Sequence, residues 1–177
     1  PEAAWAIDAN GRPAKPNRYS SWCANLLHPA TWEDLKKLMD HLVRPYAQNH
    51  PQLAGVLWRI RCNRLPISYG PDDIRLFSEE TNTPLPGDAY EQQAAWVTGE
   101  AKAEYDAWWH RKRAEFHGRL ADLLRSYRPD LTLCYYNWDP DKFGIIEPDI
   151  TAWAFVKKVV EAGPEGGRAA YERERRI

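Results

Sequence analysis

Two short stretches of this chain hold side chains suited to acid–base work on a polyhydroxylated ring. The first is Arg59-Ile60-Arg61-Cys62-Asn63-Arg64, and the second is Asn137-Trp138-Asp139-Pro140-Asp141. Cleaving a glycosidic bond takes two carboxylates, about 5–5.5 Å apart for retention and roughly 6.5–9.5 Å for inversion. Asp139 is the first candidate for such a carboxylate and Asp141 the second. A turn-shaping role for both is the competing reading, because Asp beside Pro is turn chemistry. Leu57, Arg59, Arg61 and Asn63 share one strand face, opposite Val56, Trp58, Ile60 and Cys62, and solvated arginines at an open edge are the competing reading. If Trp58 and Ile60 pack against helices, both guanidinium groups face an interior, where they need oxygen partners from acids or from substrate hydroxyls. Asn137 and Trp138 complete the substrate-binding set, since an indole offers an apolar face to the C–H side of a sugar, and structural packing is the competing use of Trp138.

Other polar groups do not assemble. His110 and His117 stand two helical turns apart, and the chain lacks a zinc-helix motif, a phosphate loop and a nucleophile elbow. No metal or cofactor is therefore expected. His28 precedes Pro29 and reads as a cap or a surface group. Glu79-Glu80 and Arg111-Lys112-Arg113 read as solvated faces. Cys23, Cys62 and Cys134 are an odd set with no metal or redox spacing, so free thiols are expected and the compartment stays open between cytoplasm, periplasm and secretion.

The elements that would position the candidate residues alternate in type. A loop-rich opening covers 1–30, with a strand end near Trp5–Ile7. Thr31-Trp32-Glu33-Asp34 resembles a capping box and opens a helix. Leu35, Leu38, Met39, Leu42 and Val43 give it an apolar stripe, and Pro45 kinks or ends it. Leu53 to Cys62 reads as a strand. Pro71 starts a second helix, with Asp72 and Asp73 on its positive end, and Asn82 stops it. A long helical stretch spans about Tyr90 to Tyr127, with a break near Gly99. Leu131–Tyr136 is a second strand, and Thr151 to about Ala162 is a last helix. Trp108 and Trp109 share the long helix, one ring for the core and the other for a neighbouring helix or subunit. A βα core over 31–162 and a charged tail over 163–177 make one α/β segment.

Helices between short strands predict parallel βα units. The chain has 177 residues, against about 250 in a (β/α)₈ TIM barrel. A fragment of such a barrel is the expectation, and a small open α/β sheet is the alternative. The abrupt start at Pro1 reads as a trimmed boundary. The formal net charge of −1 offers no basic footprint for nucleic acid, and no apolar run is long enough for a membrane span. Nine Trp beside nine Tyr exceed what one core of this size uses and fit a sugar cleft. The partners expected are a carbohydrate substrate and the remainder of a barrel or a second copy.

Five stretches carry a family resemblance: Leu27-His28-Pro29, Pro51 to Val56, Phe77 to Pro86, Trp108 to Arg113 with Phe116, and Leu120 to Leu133. From about Asn25 onward the chain resembles bacterial glycoside-hydrolase-like TIM-barrel proteins, near the family 10-like and family 42-like hydrolases. The resemblance implies a TIM barrel and hydrolysis of O-glycosidic bonds in an oligo- or polysaccharide. It also implies Asn-Glu at the end of the fourth strand, with the Glu as acid/base. Here Asn63 matches the Asn, and Arg64 stands where the Glu belongs. That departure keeps a non-catalytic glycan- or protein-binding module as the alternative.

Overall fold

The computed structural model describes residues 4–15, 23–59 and 66–136, without side-chain detail at 58–59 and 134–136. Four helices and two strands follow one another in the order α1 (Pro29–Asn49), β1 (Gly55–Arg59), α2 (Pro71–Thr81), α3 (Tyr90–Thr98), α4 (Lys102–Tyr127) and β2 (Thr132–Tyr136). The strands are parallel neighbours, in register from Gly55 opposite Thr132 to Arg59 opposite Tyr136. Parallel neighbours need a long crossover, and α2, α3 and α4 provide it. The mixed α/β class and the parallel pairing are as the sequence predicts.

The long crossover helix α4 is the spine. Its 26 residues extend about 39 Å. Tyr105, Trp108, Trp109 and Phe116 share a core with Ile74 and Phe77 of α2, Val97 of α3 and Leu26. Leu120 and Leu124 share a second core with Met39 and Ala47 of α1 and with Leu131, and Val56 of β1 packs against it. Trp32 and Leu35 touch both cores. The break near Gly99 is real: α3 ends at Thr98, and the Ala101 amide donates to the Trp96 carbonyl before α4 starts.

The lower end of the fold is tied by Arg128. Its guanidinium donates to the carbonyls of Ala47 at 3.1 Å and His50 at 3.0 Å, and also to that of Leu53. These groups close α1 and lead into β1, so one side chain just before β2 sets where β1 begins. The Thr132 amide then donates to Ala54 at 3.0 Å. Gly55 is required there, because a Cβ would collide with the Thr132 backbone.

Several expectations are corrected. The α1 cap is His28, whose Nδ1 accepts from the Ala30 amide at 3.2 Å. Thr31 already lies inside the helix, because Pro29 can take the first turn, where no amide is needed. Pro45 lies inside α1, which closes where Asn49-His50-Pro51 predicts, at Asn49 with His50 as its cap. Leu38 and Leu42 of the predicted stripe are exposed, at 52% and 54%, as is Tyr46 at 61%. Trp108 and Trp109 are both buried. Arg113 is not solvated but 0% exposed. It sits one turn from Trp109 and one from His117, on the buried side of α4. Burial brings Arg113 down to about 10. His117 falls to about 4, through burial first and the nearby Arg113 charge second. Of the three cysteines, Cys23 is buried, Cys62 lies outside the described residues, and Cys134 lies in β2. The predicted helix over 151–162 and the charged tail also lie outside them.

Two consequences can be measured. Arg128→Ala is expected to destabilise the fold by about 2 kcal/mol, since it leaves three carbonyls without their charged donor. Arg128→Lys should recover only part of this, because an ammonium cannot span all three. Denaturant unfolding reads both, and an unchanged midpoint in Arg128→Ala would refute the anchoring role. The His117 shift has a definite sign. Unfolded His117 takes a proton near 6.5, whereas the folded group waits until about 4. The stability it contributes is therefore complete above pH 6.5 and is lost as pH falls towards 4. His117→Gln should flatten that part of the stability–pH curve.

Candidate functional site

The residues singled out by sequence sit at or beyond the strand ends. Arg59 is the last residue of β1, opposite Tyr136 at the end of β2. Arg61, Asn63, Asn137, Trp138, Asp139 and Asp141 lie outside the described residues, as does the Arg59 side chain. The structure therefore brings the carboxyl ends of two parallel strands side by side, where ligands bind in parallel α/β folds.

A cavity of ≈ 550 Å³ opens between the N-terminal segment and the first residues of α1 and α2. It borders the first residues of α1, whose opposite end is the one Arg128 ties to the start of β1. It also borders the start of α2, the first helix after β1. Trp5 and Ile7 of the N-terminal segment form another wall. That segment is held by short antiparallel bridges, Trp5 with Ala24 and Ile7 with Pro13.

A buried carboxylate fixes these walls to one another. Asp73, in the first turn of α2, accepts from Asn25 Nδ2 at 2.9 Å on both oxygens and from Ser68 Oγ at 2.5 Å. Ser68 Oγ in turn accepts from the Ile7 amide at 3.0 Å. The Ser68 carbonyl accepts from Tyr105 Oη at 2.6 Å, and the Tyr69 carbonyl from Tyr90 Oη at 3.0 Å. Gly70 lets the network close, because a Cβ there would stand 3.1 Å from Asp73 Oδ2 and 3.4 Å from Ile7 Cγ1. Burial pushes the Asp73 carboxyl up, against the opposing pull of the Asn25, Ser68 and Gly70 hydrogen bonds.

Asp73 and Ser68 are thus fully engaged and buried, which fits a framework role and not that of a nucleophile or base. Chemistry at the rim falls to His28, Asp72, Arg75 and Glu79. Asp72 accepts from Arg75 at 2.9 Å, so these two charges offset each other. Asp72 and Glu79 share one face of α2, about 10 Å apart along the axis. That exceeds a retaining carboxylate pair and reaches past an inverting one. The cavity is therefore equipped to bind, and the rim carboxylates alone do not frame a scissile bond. Among the described residues no group of three or more His, Cys, Asp or Glu could hold a metal ion. No described helix is long and apolar enough to cross a membrane.

Sequence reasoning assigned Asp72 and Asp73 to the helix dipole and left Glu79 in a solvated face. Glu79 is indeed exposed, but it stands at the cavity. The available signal for Asp73 was its phase: it lies one residue before Ile74 and four before Phe77, on the inward side of α2. Asp73→Ala should cost roughly 2–4 kcal/mol, by stranding the buried Asn25 amide and Ser68 hydroxyl. Thermal unfolding reads the loss. A change under 0.5 kcal/mol, about the size of an ordinary surface effect, would show that the network is dispensable. Compared with protein-family models, curated proteins and solved structures, the chain matches none.

Proposed function

We infer that this chain is part of a carbohydrate-active protein built on a (β/α)₈ barrel, a glycoside hydrolase acting on O-glycosidic bonds. The observation that carries the reading is the ≈ 550 Å³ cavity, with Trp5 and a polar rim, in a chain whose two described strands are parallel and joined by a helical crossover. Its size is ordinary for a small-molecule site, which spans about 300–1,000 Å³. The family resemblance of the sequence points the same way.

The barrel is supported by what the two strands leave uncovered. Val56 packs towards the helices, whereas its neighbour Leu57 is 62% exposed on the other face. Parallel sheets are covered on both faces, and barrel closure would cover Leu57. Asp139 and Asp141 remain the proposed catalytic carboxylates, with Arg59, Arg61, Asn63, Asn137 and Trp138 as proposed sugar contacts. A non-catalytic glycan-binding role is the second reading, favoured by the wide spacing of Asp72 and Glu79 on α2 and by Arg64 following Asn63.

A panel of chromogenic glycosides tests the choice. Turnover by the protein carrying this chain, lost about 10²–10⁴-fold in Asp139→Asn or Asp141→Asn, is the result expected for a hydrolase. Retention of sugars without turnover would leave the binding reading. Turnover untouched by both substitutions would remove these two residues from the catalytic role.

A further inference from the structure

We propose that the cavity beside α2 takes a protonated amino sugar, a ring bearing an ammonium group, in preference to a neutral or an acidic one. The proposal rests on the carbohydrate reading above and adds the class of sugar. It follows from which rim charges are left over. Asp72 and Arg75 cancel at 2.9 Å. His28 uses Nδ1 to accept from the Ala30 amide, so its neutral ring carries the proton on Nε2 and offers a donor. Asp73 is buried, pushed up in pKa and enclosed by its own donors.

Glu79 is what remains. It is exposed at the cavity, and among the described residues it takes part in no ion pair or side-chain hydrogen bond. It also lies in the last turn of α2, and that turn has no basic residue. The negative end of the helix dipole therefore adds to the Glu79 charge. At the start of α2 the helix dipole is positive, and His28 offers a donor to the same cavity. A ligand in the cavity meets donors suited to hydroxyl oxygens and a free carboxylate. Leu76 gives an apolar wall to the ring carbons. A uronic acid would bring its carboxylate to a cavity whose uncompensated charge is already negative. A neutral sugar would leave that charge unused.

Calorimetric titration of the whole protein with glucosamine, glucose and glucuronate at low salt tests this. Glucosamine is expected to bind about fivefold tighter than glucose, the scale of one solvent-exposed ion pair, with glucuronate weakest. In Glu79→Gln, glucosamine and glucose should become equal while glucose affinity holds. Added salt should narrow the preference in the native protein. Equal binding of glucose and glucosamine, or a preference that survives Glu79→Gln, overturns the amino-sugar assignment and leaves the carbohydrate reading of the cavity standing. If none of the three binds, the cavity is not a sugar site and both fall. Leu76→Trp, which fills the cavity from the middle of α2, should abolish all binding while the circular dichroism spectrum stays native. Binding that survives this substitution would place the sugar elsewhere and overturn the proposal.

Discussion

The upper half of the molecule depends on the buried carboxylate of Asp73. Three separate pieces of chain meet at it: the N-terminal segment through Asn25, the connection after β1 through Ser68, and the first turn of α2. Each also sends a neighbour into the core or against it: Leu26, Ile67 and Ile74. A buried carboxylate without partners would be intolerable, so its demand for donors selects one arrangement of these segments. The Ile7 amide and the Tyr105 hydroxyl then bind opposite sides of Ser68, which passes the constraint to the cavity wall and to α4. The cavity is a consequence of this clamp, and its rim can vary without disturbing the floor.

The lower half uses the opposite charge in the same way. Arg128 gathers carbonyls that α1 leaves unsatisfied at its end and so couples helix termination to sheet register. Tyr127, its neighbour, donates to Asp40 of α1 at 2.6 Å, and burial, followed by that bond, pushes the phenol up to about 12. Between the two clamps, packing along α4 is apolar, except for the buried Arg113 and His117. Polar groups thus specify the two ends, and ring packing fills the middle. Edge-to-face contacts of Phe77 with Tyr105 and Trp108, at centroid distances of 5.1 and 5.5 Å, hold α2 to α4 there.

This division explains what could be read from the sequence. Local signals were sufficient for α2, with Pro71 at its start and Asn82 in the left-handed conformation at its end. They were sufficient for the break at Gly99 and for β2. Phase was underused. In α4, Arg113 belongs to a basic triplet by neighbourhood but to the Trp109–His117 stripe by helical spacing, and the spacing prevailed. The clamps themselves were not legible. Asn25 and Asp73 are 48 residues apart, and Arg128 reaches 81 residues back to Ala47. Nothing in either local pattern names its partner. The strand-end residues Arg61, Asn63, Asn137, Trp138, Asp139 and Asp141 lie outside the described residues, so the part of the site most visible in the sequence and the part visible in the fold do not overlap.

The apolar pattern of α1 holds a second message. Leu35, Met39, Val43 and Ala47, at steps of four, pack into the fold. Leu38, Leu42 and Tyr46 repeat the same step on the adjacent stripe and are exposed. A single amphipathic helix on the outside of a finished domain needs only one such stripe. Two stripes mean two neighbours, and α4 is the neighbour of the first. Leu57 makes the same demand of the sheet, because its face is open while the Val56 face is covered. One further parallel βα unit beside β1 would meet both demands at once, with a helix on the second stripe and a sheet curving round Leu57. The proposed barrel supplies that unit, whereas the two described strands by themselves leave both surfaces to water.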